Sequence, residues 1–239
     1  MTARELYQAG QLTEAIQALG AEVRDNPTDA RRRTFLFELL CFAGDFDRAR
    51  KHLELLAKDN QQAGMGALLL EACMHSERTR LETFDKKEYP HAPAGETNLK
   101  GTLNGQPFSG IRDADPRVGP RLEVFTAGTY LWIPFEHIDS IEMQAPKRLR
   151  DLLWSQVLVK TGPEFRGVEL GECLFPVLCP GSFRHSDGNV RLGRTTVWEE
   201  VDGVEIPFGQ KTLLVDGEEF PVLEIRRIEF ERPAQESGS

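Results

Sequence analysis

The run with the most chemical potential in the chain is Asp113-Ala114-Asp115-Pro116-Arg117-Val118-Gly119-Pro120. Two carboxylates one residue apart share a face on an extended strand, where they could hold a divalent ion. An oxygen-ligand site needs further carboxylates or carbonyls converging on the ion, and no EF-hand loop follows. The better supported reading is structural: Asp113 and Asp115 accept backbone N–H groups or pair with Arg112 or Arg117, with Gly119 and Pro120 part of the same motif. A metal-dependent hydrolase built on Asp113 and Asp115 stands as the alternative. Ser182, His185 and Asp187 are the residue types of a hydrolase triad, but closeness in sequence is not triad geometry. His52, His75, His91, His137 and His185 are scattered without HExxH, no GxSxG is present, and the glycines at 101 and 105 lack the lysine of a phosphate-binding loop. Cys173 and Cys179 with His185 match no common zinc spacing. No catalytic residue, metal ligand or cofactor is expected.

Composition narrows the classes further. With 239 residues, 40% of them hydrophobic and 28% charged, the chain has room for two modules with a core each. A net charge of −9 argues against nucleic-acid binding, which needs a concentrated basic surface. Arg31-Arg32-Arg33 is the one dense basic run, and on a helix its side chains diverge, which makes it a solvated face. No apolar stretch approaches the roughly 20 residues of a membrane span and no signal-peptide pattern opens the chain, so a cytoplasmic protein without membrane insertion is expected. In a reducing compartment the four cysteines stay unpaired, and Cys41 and Cys73 fall inside helical patterns as small buried groups.

The elements that would position any site begin with a repeat. Gly10-Gln11-Leu12-Thr13-Glu14-Ala15 is echoed by Gly44-Asp45-Phe46-Asp47-Arg48-Ala49 at an offset of 34 positions, after which Leu19 answers Leu53 and Val23 answers Ala57. That is the helix-turn-helix period of tetratricopeptide repeats, which hold other polypeptides. Glycine suits each turn because it accepts positive φ without steric cost. Helices are expected over 3–9, 13–25 and 30–43, with another after Gly44-Asp45. A third unit begins near Ala63 and has no second helix, so the array breaks off after His75 at about two and a half repeats.

In such arrays the first helix of each repeat lines the concave surface. The repeat phase places Tyr7 there from the first repeat, and Arg31, Thr34, Glu38, Cys41 and Phe42 from the second. The third contributes Met65, Leu68, Ala72 and His75. This mixture of apolar and hydrogen-bonding groups suits a groove for an amphipathic helix, with core packing as the alternative for Phe42, Met65 and Leu68.

Around 77–98 the helical pattern weakens and Pro90, Pro93 and Gly95 follow, which marks a domain junction. The expected organisation is a TPR-like helical domain over 1–80, a linker over 81–98, a mainly β module over 99–233 and a disordered tail over 234–239. The fold class is therefore multidomain α+β, with N-terminal TPR-like helical hairpins and a mainly β C-terminal module with short helices. Asn104-Gly105 centres a hairpin. Further strands are expected over 122–126, 129–134, 156–160, 167–170, 195–201, 211–215 and 220–230, with helical turns over 134–138 and 146–153. Phe125, Tyr130, Trp132, Phe135, Trp154 and Trp198 can supply the core of this module.

The helical start, followed by Gly101-Thr102-Leu103-Asn104-Gly105-Gln106-Pro107-Phe108 and by the run from Asp113 through Pro120 into Arg121-Leu122-Glu123, resembles the ImpE/TagJ family of bacterial type VI secretion accessory proteins. Tyr130-Leu131-Trp132-Ile133-Pro134-Phe135, Leu149-Arg150-Asp151-Leu152-Leu153-Trp154 and Phe175-Pro176-Val177-Leu178 extend the similarity over nearly the whole chain. The resemblance implies a non-enzymatic adaptor that binds the N-terminal helix of the small contractile-sheath subunit (TssB-type) and is linked to the disassembly ATPase ClpV. It identifies no catalytic residue. Longer relatives carry extra helical sequence between the modules, so a shallower groove is the expectation here. A structural, self-associating scaffold is a further alternative.

Overall fold

Gly10 and Gly44, at the same phase of the repeat, both adopt left-handed backbone, with φ of 78° and 70°. Both close a helix in the same way: the Gln11 N–H donates to the Leu6 carbonyl and the Asp45 N–H to the Leu40 carbonyl, each at 2.9 Å. Such a helix end needs a residue free of Cβ strain. In the computed structural model, which describes residues 1–58, 61–90, 99–162 and 170–231, these turns join α1 (Ala3–Gln8) to α2 (Leu12–Asp25) and α3 (Ala30–Phe42) to α4 (Phe46–Leu56). Asp29 caps α3 by accepting the Arg32 N–H, and Asp45 caps α4 by accepting the Arg48 N–H. The equivalent small residues Ala15 and Ala49 are fully buried, which lets the paired helices approach closely.

The fifth helix, α5, spans Gln61–Asp85 without interruption. Arg78 stands 34 positions after Gly44, so no glycine offers a left-handed exit there and the helix runs on. This corrects the expected break after His75 and the expected linker start at 81: the extra turns carry Arg80, Leu81 and Phe84 into the interior. Residues 91–98, the tail over 234–239 and the expected strand over 167–170, apart from Leu170, lie outside the described residues.

The C-terminal half is mainly β. Its antiparallel main sheet runs in the order β2 (Gln106–Phe108), β1 (Gly101–Leu103), β13 (Arg227–Phe230), β6 (Ile138–Met143), β7 (Trp154–Thr161), β8 (Gly171–Pro176), β4 (Arg121–Thr126), β5 (Thr129–Pro134). A second sheet orders β12 (Glu218–Pro221), β11 (Thr212–Val215) and β3 (Ile111–Asp113), and β9 (Thr196–Val201) pairs with β10 (Val204–Gly209) as a ribbon. Asn104 and Gly105, with φ of 51° and 82°, make the β1–β2 turn with both central residues left-handed, matching the strand twist. The single strand expected over 220–230 is two strands in different sheets, separated by a 3-10 turn at Val222–Glu224. Pro221, at the end of β12, has no N–H with which to continue a ladder. Phe125, Phe135 and Trp154 are buried as expected, whereas Trp198 lies half-exposed on the ribbon, donating to Glu219.

The two halves share a core. The cluster built on Leu12, Leu36, Leu40 and Phe42 is continued by Phe125, Leu153, Trp154 and Leu192 from the β half. Among the described residues no helix is long and apolar enough to cross a membrane.

Candidate functional site

The chain's own β half occupies the centre of the concave helical face. Segment 146–154 contains a 3-10 turn at Leu149–Leu152 and lays Leu149, Leu152, Leu153 and Trp154 against the helical core. Phe42 therefore leaves the groove set: it is 1% exposed, beside Leu153, Trp154 and Phe183. Glu38 is also covered, with Arg150 and Asp151 as its charged neighbours. A solvent-facing groove residue cannot lie beneath a packed segment, and repeat phase alone carries no information about that segment.

Two openings flank this plug. The larger, about 900 Å³, lies between the first turns of α1 and α3 and segment 146–152, and its walls include Tyr7, Arg31, Phe35, Leu149 and Leu152. The Tyr7 and Phe35 rings meet edge to face at 5.6 Å, and the Arg194 guanidinium sits 4.7 Å from the Tyr7 centroid. That aromatic wall is held before any partner arrives. Thr34 donates its hydroxyl to the Ala30 carbonyl at 2.8 Å. The arginine triplet diverges: Arg31 faces the opening, Arg32 pairs with Asp29 and Glu22, and Arg33 donates to the Pro27 carbonyl.

The second opening follows α5. Met65 and Leu68 are 67% and 72% exposed, and His75, two turns on from Leu68 and on the same helix face, is exposed too. Ala72 lines a cavity of about 140 Å³ with Phe125, Gly128 and Leu174. The residues assigned to one groove thus fall into two groups, Tyr7 with Arg31 and the four on α5. Phe35 showed itself in the sequence only as an apolar helix position. Leu149 and Leu152 gave no local signal that they would face a helix.

The Asp113 to Pro120 motif sits at the junction of the halves, inside a buried charge cluster. Lys211 Nζ lies 2.6 Å from Asp113 Oδ2 and also bonds Glu123. Arg80, reaching in from α5, donates to Glu123 through Nε at 2.8 Å and Nη2 at 3.1 Å, to Glu77 at 3.0 Å and to the Leu178 carbonyl at 3.0 Å. Tyr130 donates its hydroxyl to Glu123. Asp115 accepts the Arg117 N–H and holds its guanidinium at 2.6 Å, with that guanidinium 4.8 Å from the Phe84 centroid. Gly119, at φ 64°, turns its carbonyl to the Asp113 N–H, and the Pro120 carbonyl accepts from Phe135.

Burial pushes the Glu123 carboxyl up, but Arg80 and Lys211 outweigh it and hold that group well below the usual carboxylate range. Asp113 goes the other way: burial raises it to about 6 despite Lys211, with the Glu123 and Asp115 charges adding. The oxygens a divalent ion would need are already matched to cations. Among the described residues no three His, Cys, Asp or Glu side chains gather as a ligand set. Ser182 donates to the Cys179 carbonyl and accepts the Gly209 N–H, while His185 faces Glu199 at 3.1 Å, so these residues do not form a triad. Sequence reading missed Arg80, Glu123 and Lys211, although Glu123 sits in the apolar run Leu122-Glu123-Val124-Phe125 and Arg80 adjoins Leu81 on α5.

Beneath the plug, burial raises the Glu38 carboxyl to about 7, with Arg150 opposing and Asp151 adding. Its folded value exceeds the ordinary 4.5, so between those pH values the native chain holds a proton that the unfolded chain releases, and stability falls as pH rises through that window. Glu38→Gln is expected to be about 1–3 kcal/mol more stable than the parent near pH 8, with the difference vanishing below about pH 4.5. Urea unfolding at the two pH values reads this out. An equal difference at both would remove burial of a reluctant charge as its cause.

Fold and site define a class: a short tetratricopeptide-type array whose concave face is plugged by a fused β module, with an apolar groove left open beside the plug. Residues 105–229 match the family described as ImpE protein, and residues 6–72 match a tetratricopeptide repeat. The chain belongs to the ImpE family. It is 29% identical, over a gapped alignment of 266 positions covering 97% of this chain and 92% of the relative, to the type VI secretion system accessory component TagJ of Pseudomonas aeruginosa. The crystal structure of protein VPA1032 from Vibrio parahaemolyticus shares the fold, with a TM-score of 0.84 at 22% identity over 97% of this chain and 98% of that one.

Proposed function

We propose that this chain is a non-enzymatic accessory protein of a bacterial type VI secretion system. It works in the cytoplasm, receives the N-terminal helix of the small contractile-sheath subunit in the groove walled by Tyr7 and Phe35, and is linked to ClpV-driven sheath disassembly. The observation that carries this reading is the match to TagJ across 97% of the chain, in a protein whose helical half keeps an apolar groove of about 900 Å³ open. A helix docks by setting apolar side chains spaced three and four residues apart into such a groove. Tyr7, Phe35, Leu149 and Leu152 supply matching walls.

Fluorescence anisotropy with a labelled sheath-subunit N-terminal peptide tests the reading. The folded parent is expected to bind in the micromolar range or tighter, and Tyr7→Ala with Phe35→Ala to weaken binding about tenfold or more, as loss of a central aromatic anchor does. No binding by the folded parent at high micromolar peptide sinks the proposal. The exposed Met65, Leu68 and Leu69 favour one alternative, self-association through α5, which sedimentation at several concentrations separates from a monomeric adaptor.

A further inference from the structure

The chain as a whole carries a net charge of −9, yet the lining of the groove between α1 and α3 includes Arg4, Arg31, Arg32, Lys147 and Arg148 with Glu22 as its one carboxylate. Arg32 is engaged by Glu22 at 3.4 Å and by Asp29 at 2.9 Å. The other four cations make no salt bridge among the described residues, and Arg4, Arg31, Lys147 and Arg148 are not buried. Like charges repel one another, so this excess of cations around an apolar floor focuses a positive potential in an otherwise acidic protein, even with Asp29 near Arg31 and with the Asp151 carboxylate accepting the Lys147 and Arg148 N–H groups at 2.8 Å.

We infer that the groove selects an acidic amphipathic helix, one that presents an apolar face to Tyr7 and Phe35 and carboxylates to the four cations on the rim. The inference rests on the groove being the receptor site proposed above and adds what its occupant must carry. A rim of this kind acts chiefly on encounter rate, register and rejection of wrong partners, while the aromatic floor holds the bound helix. A basic helix with the same apolar face meets like charge on both flanks and is disfavoured.

Two designed peptides with identical apolar faces, one bearing Glu and the other Lys on the polar face, are titrated against the full chain by anisotropy at about 50 and about 300 mM salt. The Glu peptide is expected to bind at least about tenfold tighter and to lose that advantage as salt rises. Arg4→Glu combined with Arg31→Glu is expected to reverse the preference. Both positions lie in the first turns of helices, where an acidic residue is favoured, so this variant keeps its fold, which circular dichroism and its Tm check. Equal or tighter binding of the Lys peptide, binding of neither peptide, or a preference untouched by the double charge reversal overturns the inference. A sheath peptide that fails while the Glu peptide binds removes the proposed partner and leaves the inference standing. A sheath peptide that binds without sensitivity to salt or to charge reversal does the opposite.

Discussion

Arg80→Met is expected to lower stability by about 3–5 kcal/mol, as removal of one partner from a buried charge pair does. The guanidinium holds both Glu123 oxygens and one Glu77 oxygen and caps the Leu178 carbonyl. Without it Glu123 keeps Lys211 and the Tyr130 hydroxyl, yet Lys211 is already shared with Asp113. The cost arises from an uncompensated carboxylate in the interior rather than from the loss of one bond. Arg80→Lys should recover only part of it, because an ammonium cannot match the two-armed contact.

The pH dependence of this loss follows from Glu123. Its folded pKa is depressed below the ordinary 4.5, so the stability it contributes is present above that value and is lost as pH falls through the depressed one. The penalty of Arg80→Met is accordingly largest near neutrality and shrinks in strong acid. Urea midpoints at neutral and acidic pH measure both parts. A variant with the parent's midpoint would show that the cluster does not fasten α5 to the β half.

Gly44→Ala is expected to cost about 2–5 kcal/mol, the sum of about 1–2 for an alanine held left-handed and about 1–3 for overpacking. An added Cβ at Gly44, where φ is 70°, would stand 2.4 Å from the Phe183 ring. Gly105 provides the control: its φ is 82° and nothing lies within 4 Å of a Cβ there, so Gly105→Ala pays the backbone cost alone. The difference between the two variants in thermal or urea unfolding isolates the docking of Phe183 on the repeat turn. Gly44→Ala with Phe183→Leu should recover part of the loss. Equal costs at Gly44 and Gly105 would mean that the turn carries no docking role.

The same arrangement recurs one repeat earlier, where Asn189 lies against Gly10 and a Cβ on Gly188 would fall 1.8 Å from the Gly10 carbonyl oxygen. The repeat glycines therefore do two things. They end helices, which any tetratricopeptide turn requires, and they clear space in which the β half seats residues 183 and 189.

Only the first of those roles was readable before the structure. A left-handed helix end, an Asp29 cap, the Asn104-Gly105 turn and the buried stripe of α2 are each decided by a few neighbouring residues, so the sequence alone determined the helical hairpins, the change to β structure and the family resemblance. The uninterrupted α5 left a local trace, the Arg78 that stands where a turn glycine would fall, but the break expected after His75 missed it. Strands β3, β6, β8 and β10 were not expected, because short strands acquire their structure from the partners they pair with.

The candidate site divides along the same line. Repeat phase put Tyr7 and Arg31 on the concave side, and the groove walls include both. It could not show that segment 146–154 would cover Glu38 and Phe42, that Leu149 would complete a wall, or that Asp113 would find Lys211 from the far end of the chain. Those outcomes depend on how the two halves pack. Local propensities act over single turns and strands, whereas a shared core and a buried charge cluster exist only once distant segments have excluded water together. The chain by itself determined a tetratricopeptide-type helical repeat joined to an ImpE-type β module. Tertiary packing decided which part of that repeat stays open and which charged residues line it.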